Sequence, residues 1–238
     1  MSVHTVSALR SRFGTEVPPV LWSPPDPRIE AAPPGPETDL SDDELTALRV
    51  LAVPEVRQEG RATGDLDSKL CLARAGELTA RVVRAAGTAD VDLPYCDGSV
   101  GTLARLVEPL IGTAPAADPA VAASFPAAAG RTALACGGDA GEIAAELRRI
   151  GVESEAARLI GRTFARSSRS VEFTFHERDR RIAVVVAVID GPAGRIVALT
   201  ATDGPGEGWI AIAEGTAHRI GRALRRACEE LPGGGWMP

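Results

Sequence analysis

The chain is short of lysine, of aromatic residues and of spaced cysteine pairs, and each shortage excludes something. Lys69 is its only lysine, and the other 25 of its 26 basic residues are arginine. Aromatics make up 4% of 238 residues, so a core must be built from Val, Ile, Leu and Ala, which a hydrophobic content of 45% allows. The cysteines Cys71, Cys96, Cys136 and Cys228 show no CxxC spacing. That argues against a zinc site or a disulfide framework and for buried free thiols in a reducing cytoplasm. No apolar run approaches the ~18 residues of a membrane span, and the N-terminus lacks the basic start and apolar core of a signal peptide. A cytoplasmic protein is therefore expected.

Catalytic patterns are missing as well. The three histidines, His4, His176 and His218, are scattered, and no HExxH, GxSxG or Walker-type sequence occurs. Neither an enzyme, a cofactor nor a metal is expected. A net charge of −6 argues against a general nucleic-acid binder. Arg219, Arg222 and Arg226 form a stripe on the last helix, which reads first as a solvated face near the C-terminal end of the helix dipole. The acidity is uneven: residues 1–112 hold 11 basic and 17 acidic residues, whereas residues 113–238 hold 15 of each.

What is present is a clear pattern of strands and helices. Residues 170–175 alternate apolar and polar, the signature of a strand with one buried face. Residues 181–189 are a continuous β-branched run, typical of a strand covered on both faces. The turn Asp190-Gly-Pro-Ala-Gly194 leads into a strand over 195–200, and Trp209-Ile-Ala-Ile-Ala213 follows another turn. Thr216 fits the N-cap of a helix that Pro232 and three glycines stop near residue 231. Upstream, Ser41 and Glu44 have capping-box spacing ahead of Leu45, Leu48 and Leu51. Ser99 caps a helix with the face Val100, Leu103, Leu106, Val107 and Leu110. Residues 139–150 and 153–164 read as a helical hairpin broken at Gly151. The Ala/Pro-rich stretch 113–138 is weakly determined.

The two halves end in the same series: strand, strand, turn, strand, helix. Residues 55–61, 77–84 and 89–93 with the Ser99 helix match residues 181–189, 195–201 and 209–213 with the Thr216 helix. This ordering predicts an α+β body in which both sets of antiparallel strands share one sheet. The expected organisation is one domain over 1–238, with halves of about 1–112 and 113–231 and a flexible tail at 232–238. The halves differ in one place. Residues 190–194 join two strands in the second half, whereas residues 62–76 fill the equivalent place in the first, carrying Leu66, Leu70 and Leu72. A long apolar loop of this kind is either functional or packed onto the sheet, and the sequence leaves both readings open.

Several short segments carry a family likeness in their order and spacing. They are Val17-Pro-Pro-Val-Leu21, Leu48-Arg-Val-Leu-Ala-Val-Pro-Glu-Val56, Ala73-Arg-Ala-Gly-Glu-Leu-Thr-Ala-Arg-Val-Val83, Asp190-Gly-Pro-Ala-Gly-Arg195 and Gly208-Trp-Ile-Ala-Ile-Ala213. Over residues 6–231 the chain resembles the EspG family, the ESX (type VII) secretion-associated chaperones of actinobacteria. The resemblance implies a central antiparallel twisted sheet flanked by two helical bundles in quasi-twofold arrangement. It also implies a cytosolic chaperone that binds a secreted helical-hairpin protein, PE–PPE-like or WXG-type, shields its apolar tip and directs it to the secretion machinery. By the same resemblance the partner contacts the 62–76 loop through Leu66, Leu70 and Leu72, and the helical hairpin near Ile143, Leu147 and Ile150. The competing readings are a regulatory or scaffold domain that homodimerises, and an enzymatic or ligand-binding α+β domain.

Overall fold

A computed structural model describes residues 41–64, 68–85, 88–135, 139–178, 180–201 and 208–237. Helix α1 (Asp42–Ala52) begins where the sequence places it. The Ser41 hydroxyl accepts from the Glu44 amide, and the Glu44 carboxylate accepts from the Ser41 amide, closing the capping box. Strands β1 (Val56–Gly64), β2 (Lys69–Ala75), β3 (Leu78–Ala85) and β4 (Thr88–Asp92) follow, then α2 (Val100–Ile111). After a 3-10 turn at Pro119–Val121 come β5 (Ala123–Pro126), α3 (Ala127–Leu134), α4 (Ala140–Arg149) and α5 (Ser154–Ala165). The chain closes with β6 (Arg169–Glu177), β7 (Arg180–Gly191), β8 (Gly194–Ala201), β9 (Trp209–Glu214) and α6 (Ala217–Glu229).

The named strands form one antiparallel sheet in the order β4-β3-β2-β1-β6-β7-β8-β9-β5. Its centre is the β1–β6 pair, in which Gly60 faces Phe173. Stepping outward from Gly60, the cross-strand partners are Leu70, Val83 and Asp90; stepping outward from Phe173, they are Val186, Leu199 and Ala211. Each half is thus a helix, four strands and a helix. The quasi-twofold relation holds, and this is the α+β sheet expected from the sequence, with helices on both faces. The expected matching holds for β3 with β8 and for β4 with β9 and is corrected for β1, which corresponds to β6, while β7 corresponds to β2.

One face of the sheet buries Leu70, Leu72, Phe173, Phe175 and Val186 beneath α2 and α6. On the other face, α1 covers Cys71, Ala73, Ala80 and Val82, and α3, α4 and α5 cover Ile189, Ile196, Ala198, Ile210 and Ile212. The helices approach closely where side chains are smallest. A Cβ on Gly60 would lie 2.6 Å from the Leu110 side chain and 2.8 Å from that of Phe173. A Cβ on Gly221 would strike the Val100 carbonyl oxygen of α2.

Two further expectations are corrected, and the weakly determined stretch 113–138 gains a strand. Residues 62–76 are not a long loop: β1 extends to Gly64 and β2 starts at Lys69, leaving a short connection. Within 113–138, the register of β9 recruits β5, with Phe125 facing Ile210. The tail is not free: Trp236 is 2% exposed, and its indole donates to the Thr79 hydroxyl at 3.3 Å. The tail is held a second time, because the Gly233 amide donates to the Glu177 carboxylate at 2.9 Å.

Candidate partner-binding surface

The connection between β1 and β2 and the α4–α5 hairpin meet at one end of the sheet. Strand register fixes this, since Gly64 lies opposite Arg169 and Thr63 opposite Ser170. Residue 169 follows α5 after only a few residues, so the end of α5 and the end of β1 are neighbours. The Thr63 and Ser170 hydroxyls bond at 2.5 Å, and the Ala62 amide donates to the Ser68 carbonyl at 2.8 Å. The first turn of α4 is drawn to the same end, because a Cβ on Gly161 of α5 would strike the Ala140 carbonyl oxygen.

Beneath this end lies a charged staple. Asp190 and Arg195, paired across the β7–β8 hairpin, make a bidentate contact, Nε to Oδ1 at 2.6 Å and Nη2 to Oδ2 at 2.8 Å. Arg195 also donates to the carbonyls of Ile111 (2.7 Å) and Gly112 (2.8 Å), and Arg169 donates to those of Leu110 and Ile111. The orphan carbonyls at the C-terminus of α2 are thereby satisfied by two cations, which also complement the negative end of its dipole. Asp190, read from sequence as a turn former, is therefore the carboxylate that holds a buried arginine.

The hairpin is built from side-chain caps. Asp139 accepts from the amides of Gly141 (2.7 Å) and Glu142 (3.0 Å), and Glu153 accepts from those of Glu155 (2.8 Å) and Ala156 (3.1 Å). Its outer face carries the ion pairs Glu146–Arg149 and Glu155–Arg158. The Arg158 contact holds the Glu155 carboxyl below its ordinary range. The exposed groups at the shared end are Arg61 and Thr63 of β1 with Arg162, Ala165, Arg166, Ser167 and Ser168.

The residues singled out from sequence fall in different places. Leu66 lies outside the described residues. Leu70 and Leu72 are 0% exposed in β2, inside the layer under α2 and α6. Ile143 and Leu147 are buried between α4 and its neighbours, and Ile150 packs partly buried against the same cluster. The leucines of β2 and the hairpin face thus build the core that shapes this end rather than the surface that it presents. Sequence reasoning missed the large apolar side chains that are exposed: Val53, Leu78, Tyr95 and Trp209. Tyr95 alone carried a signal of isolation, as the single tyrosine, placed between a proline and a cysteine.

Among the described residues, the cysteines and histidines lie in separate places. Burial pushes the thiols of Cys71 and Cys96 up, and that of Cys228 up to about 12. His176 is largely buried, with Nδ1 3.5 Å from Arg57 Nη2 and Nε2 3.9 Å from Glu59 Oε2. His218 is exposed at the start of α6, far along the chain from that row. Among the described residues no group of three or more His, Cys, Asp or Glu side chains is placed to hold a metal ion. None of their helices is long and apolar enough to cross a membrane.

Comparison with known proteins bears on the whole chain. Among solved structures, the chain is similar to the Mycobacterium tuberculosis type VII secretion system chaperone EspG5, determined in complex with a PE25–PPE41 dimer. The TM-score is 0.76 at 20% identity, covering 99% of this chain and 97% of that one, so the overall fold is shared. No curated protein matches the sequence. A model of the EspG family matches residues 36–226, which take in both halves of the repeat. The chain belongs to the EspG family.

Proposed function

We propose that this protein is a type VII secretion chaperone that binds a secreted helical pair of the PE–PPE type in the cytosol. It holds the pair soluble and directs it to the secretion machinery without catalysing a reaction. The observation that carries this reading is the match in overall fold with a chaperone solved in complex with such a dimer, joined to the family match over residues 36–226.

The contact surface we assign is the end of the sheet where the β1–β2 connection meets α5. Leu66 supplies an apolar anchor by its place in the sequence, and Arg61, Arg162 and Arg166 supply a polar rim. Leu70 and Leu72 act indirectly, by packing the strand that carries the connection. Co-expression with a PE–PPE-type pair from the same organism tests this. The expected result is a soluble complex that co-elutes on size exclusion, lost in Leu66→Ser while the melting temperature stays unchanged. A wild-type chain that leaves a folded pair unbound would overturn the reading.

A further inference from the structure

We infer that the groove between α6 and the exposed surface of β8 and β9 docks an acidic amphipathic peptide segment of a protein partner. The site lies on the α2/α6 face of the sheet, opposite α3–α5, and is independent of the surface proposed above. Its floor is Val197, Leu199, Ala211 and Ala213, and its wall is α6 with His218, Arg219, Arg222, Ala223, Arg225, Arg226 and Glu229. The cavity is about 520 Å³, within the span of functional clefts. Trp209, 45% exposed, lies on the same strand face two residues before Ala211.

The internal repeat shows that this groove is a departure rather than a consequence of the fold. By the cross-strand register, Val197 corresponds to Arg81 and Ala213 to Asp92. By the N-caps Ser99 and Thr216, Ala223 corresponds to Leu106. In the first half, Arg81 is bound by Asp92 through both nitrogens, Nε at 3.0 Å and Nη2 at 2.5 Å, and also donates to the Leu106 carbonyl at 3.4 Å. That ion pair bridges helix to sheet. The second half replaces all three residues with smaller apolar ones and leaves the same space open.

Charge determines the occupant. Arg219, Arg225 and Arg226 correspond to Thr102, Glu108 and Pro109 of α2, and only Arg222 has an arginine counterpart, Arg105, so the first half has one arginine where the second has four, in a chain of net charge −6. Arg222 has no ion-pair partner among the described residues. Arg219 pairs with Glu214 at 2.8 Å, Arg225 with Glu229 at 3.1 Å, and Arg226 with Glu230 at 2.8 Å. These are exposed pairs of small net worth, readily exchanged for a partner's carboxylates. The aliphatic floor suits Leu or Ala side chains rather than a phosphate backbone, which favours an acidic peptide over nucleic acid. Arg219, Arg222 and Arg226 repeat at three and four residues along one helix face, so carboxylates at the same spacing on a docked helix meet them in turn.

Fluorescence anisotropy with a labelled amphipathic peptide about four helical turns long tests the assignment. The peptide carries glutamates at three- and four-residue spacing beside a Leu/Ala face, and its twin has every Glu replaced by Gln. The acidic peptide is expected to bind, more weakly as salt rises, and the Gln twin is not. Arg222→Glu should weaken binding by about tenfold or more, and Ala211→Trp, from an exposed position, should block the floor. Both variants should melt with the wild type, since each changes an exposed side chain. Equal binding of the two peptides, binding unaffected by either variant, no binding of the acidic peptide, or preferential binding of a labelled DNA duplex would each overturn the proposal.

Discussion

Arg195 illustrates how much one side chain carries in this fold. Its guanidinium is buried and pairs with Asp190 while satisfying two carbonyls at the end of α2. Removing one partner strands a buried charge, so Arg195→Ala should cost about 3–5 kcal/mol in urea denaturation. Arg195→Lys should recover little of this, because an ammonium cannot reproduce the fork. Gln58 makes the opposite case. It is 0% exposed, and neither amide atom has a hydrogen-bond partner among the described residues. Its repeat counterpart is Val171, in the same apolar layer. An unsatisfied amide costs about 1–3 kcal/mol, so Gln58→Leu should raise the melting temperature; a fall would mean that Gln58 has a partner in solution. Asp97 bears on acid stability. Bonds from the Ser99 amide and hydroxyl and from Thr102 lower its carboxyl from 3.8 to about 2. A depressed carboxyl stabilises the fold above its ordinary value and loses that contribution as pH falls toward its folded value. Asp97→Asn should therefore flatten the acid limb of a pH–stability profile between about 4 and 2 and lower stability in the neutral region, where the contribution of the charged carboxyl is fully present.

Elements with one wet face were legible in the sequence, and so was β7, whose β-branched run marks a strand covered on both faces; β2, covered on both faces without such a run, was not. α1, α2, α5, α6 and β6 keep a polar side, so their periodicity and caps could be read directly. β2 lies between α2/α6 on one face and α1 on the other, and Lys-Leu-Cys-Leu-Ala-Arg-Ala lost its alternation for that reason. Reading it as loop matched β1 with β7 in place of β6 and placed Leu70 and Leu72 on a surface. β5 escaped because four residues carry no period, and its place is set by the edge of β9. The triple glycine before Trp236 read as a frayed end, yet the indole fills a site against Thr79 and Gly98. Trp236→Ala should cost about 3 kcal/mol or more by thermal or urea unfolding; a change under about 0.5 kcal/mol, ordinary for an exposed residue, would restore the flexible-tail reading.

At the scale of the molecule, the repeat supplies the frame and its broken symmetry supplies the candidate surfaces. Both halves share a helix, four strands and a helix, and among the described residues the second alone adds β5, α3 and α4 beside its edge. That addition puts the α4–α5 hairpin next to the β1–β2 connection, the surface assigned to the secreted partner. The family likeness could be read from short segments in order, whereas the surface could not, since it depends on strands that meet only in the folded sheet. The most direct test is isothermal titration of the chain with a purified, folded PE–PPE-type pair from the same organism. The account predicts one chaperone per pair, binding abolished by Leu66→Ser and weakened by Arg166→Glu, and no change with Arg222→Glu. Absence of heat and of a complex with the folded pair, or an affinity indifferent to changes at the β1–β2/α5 end, would contradict it.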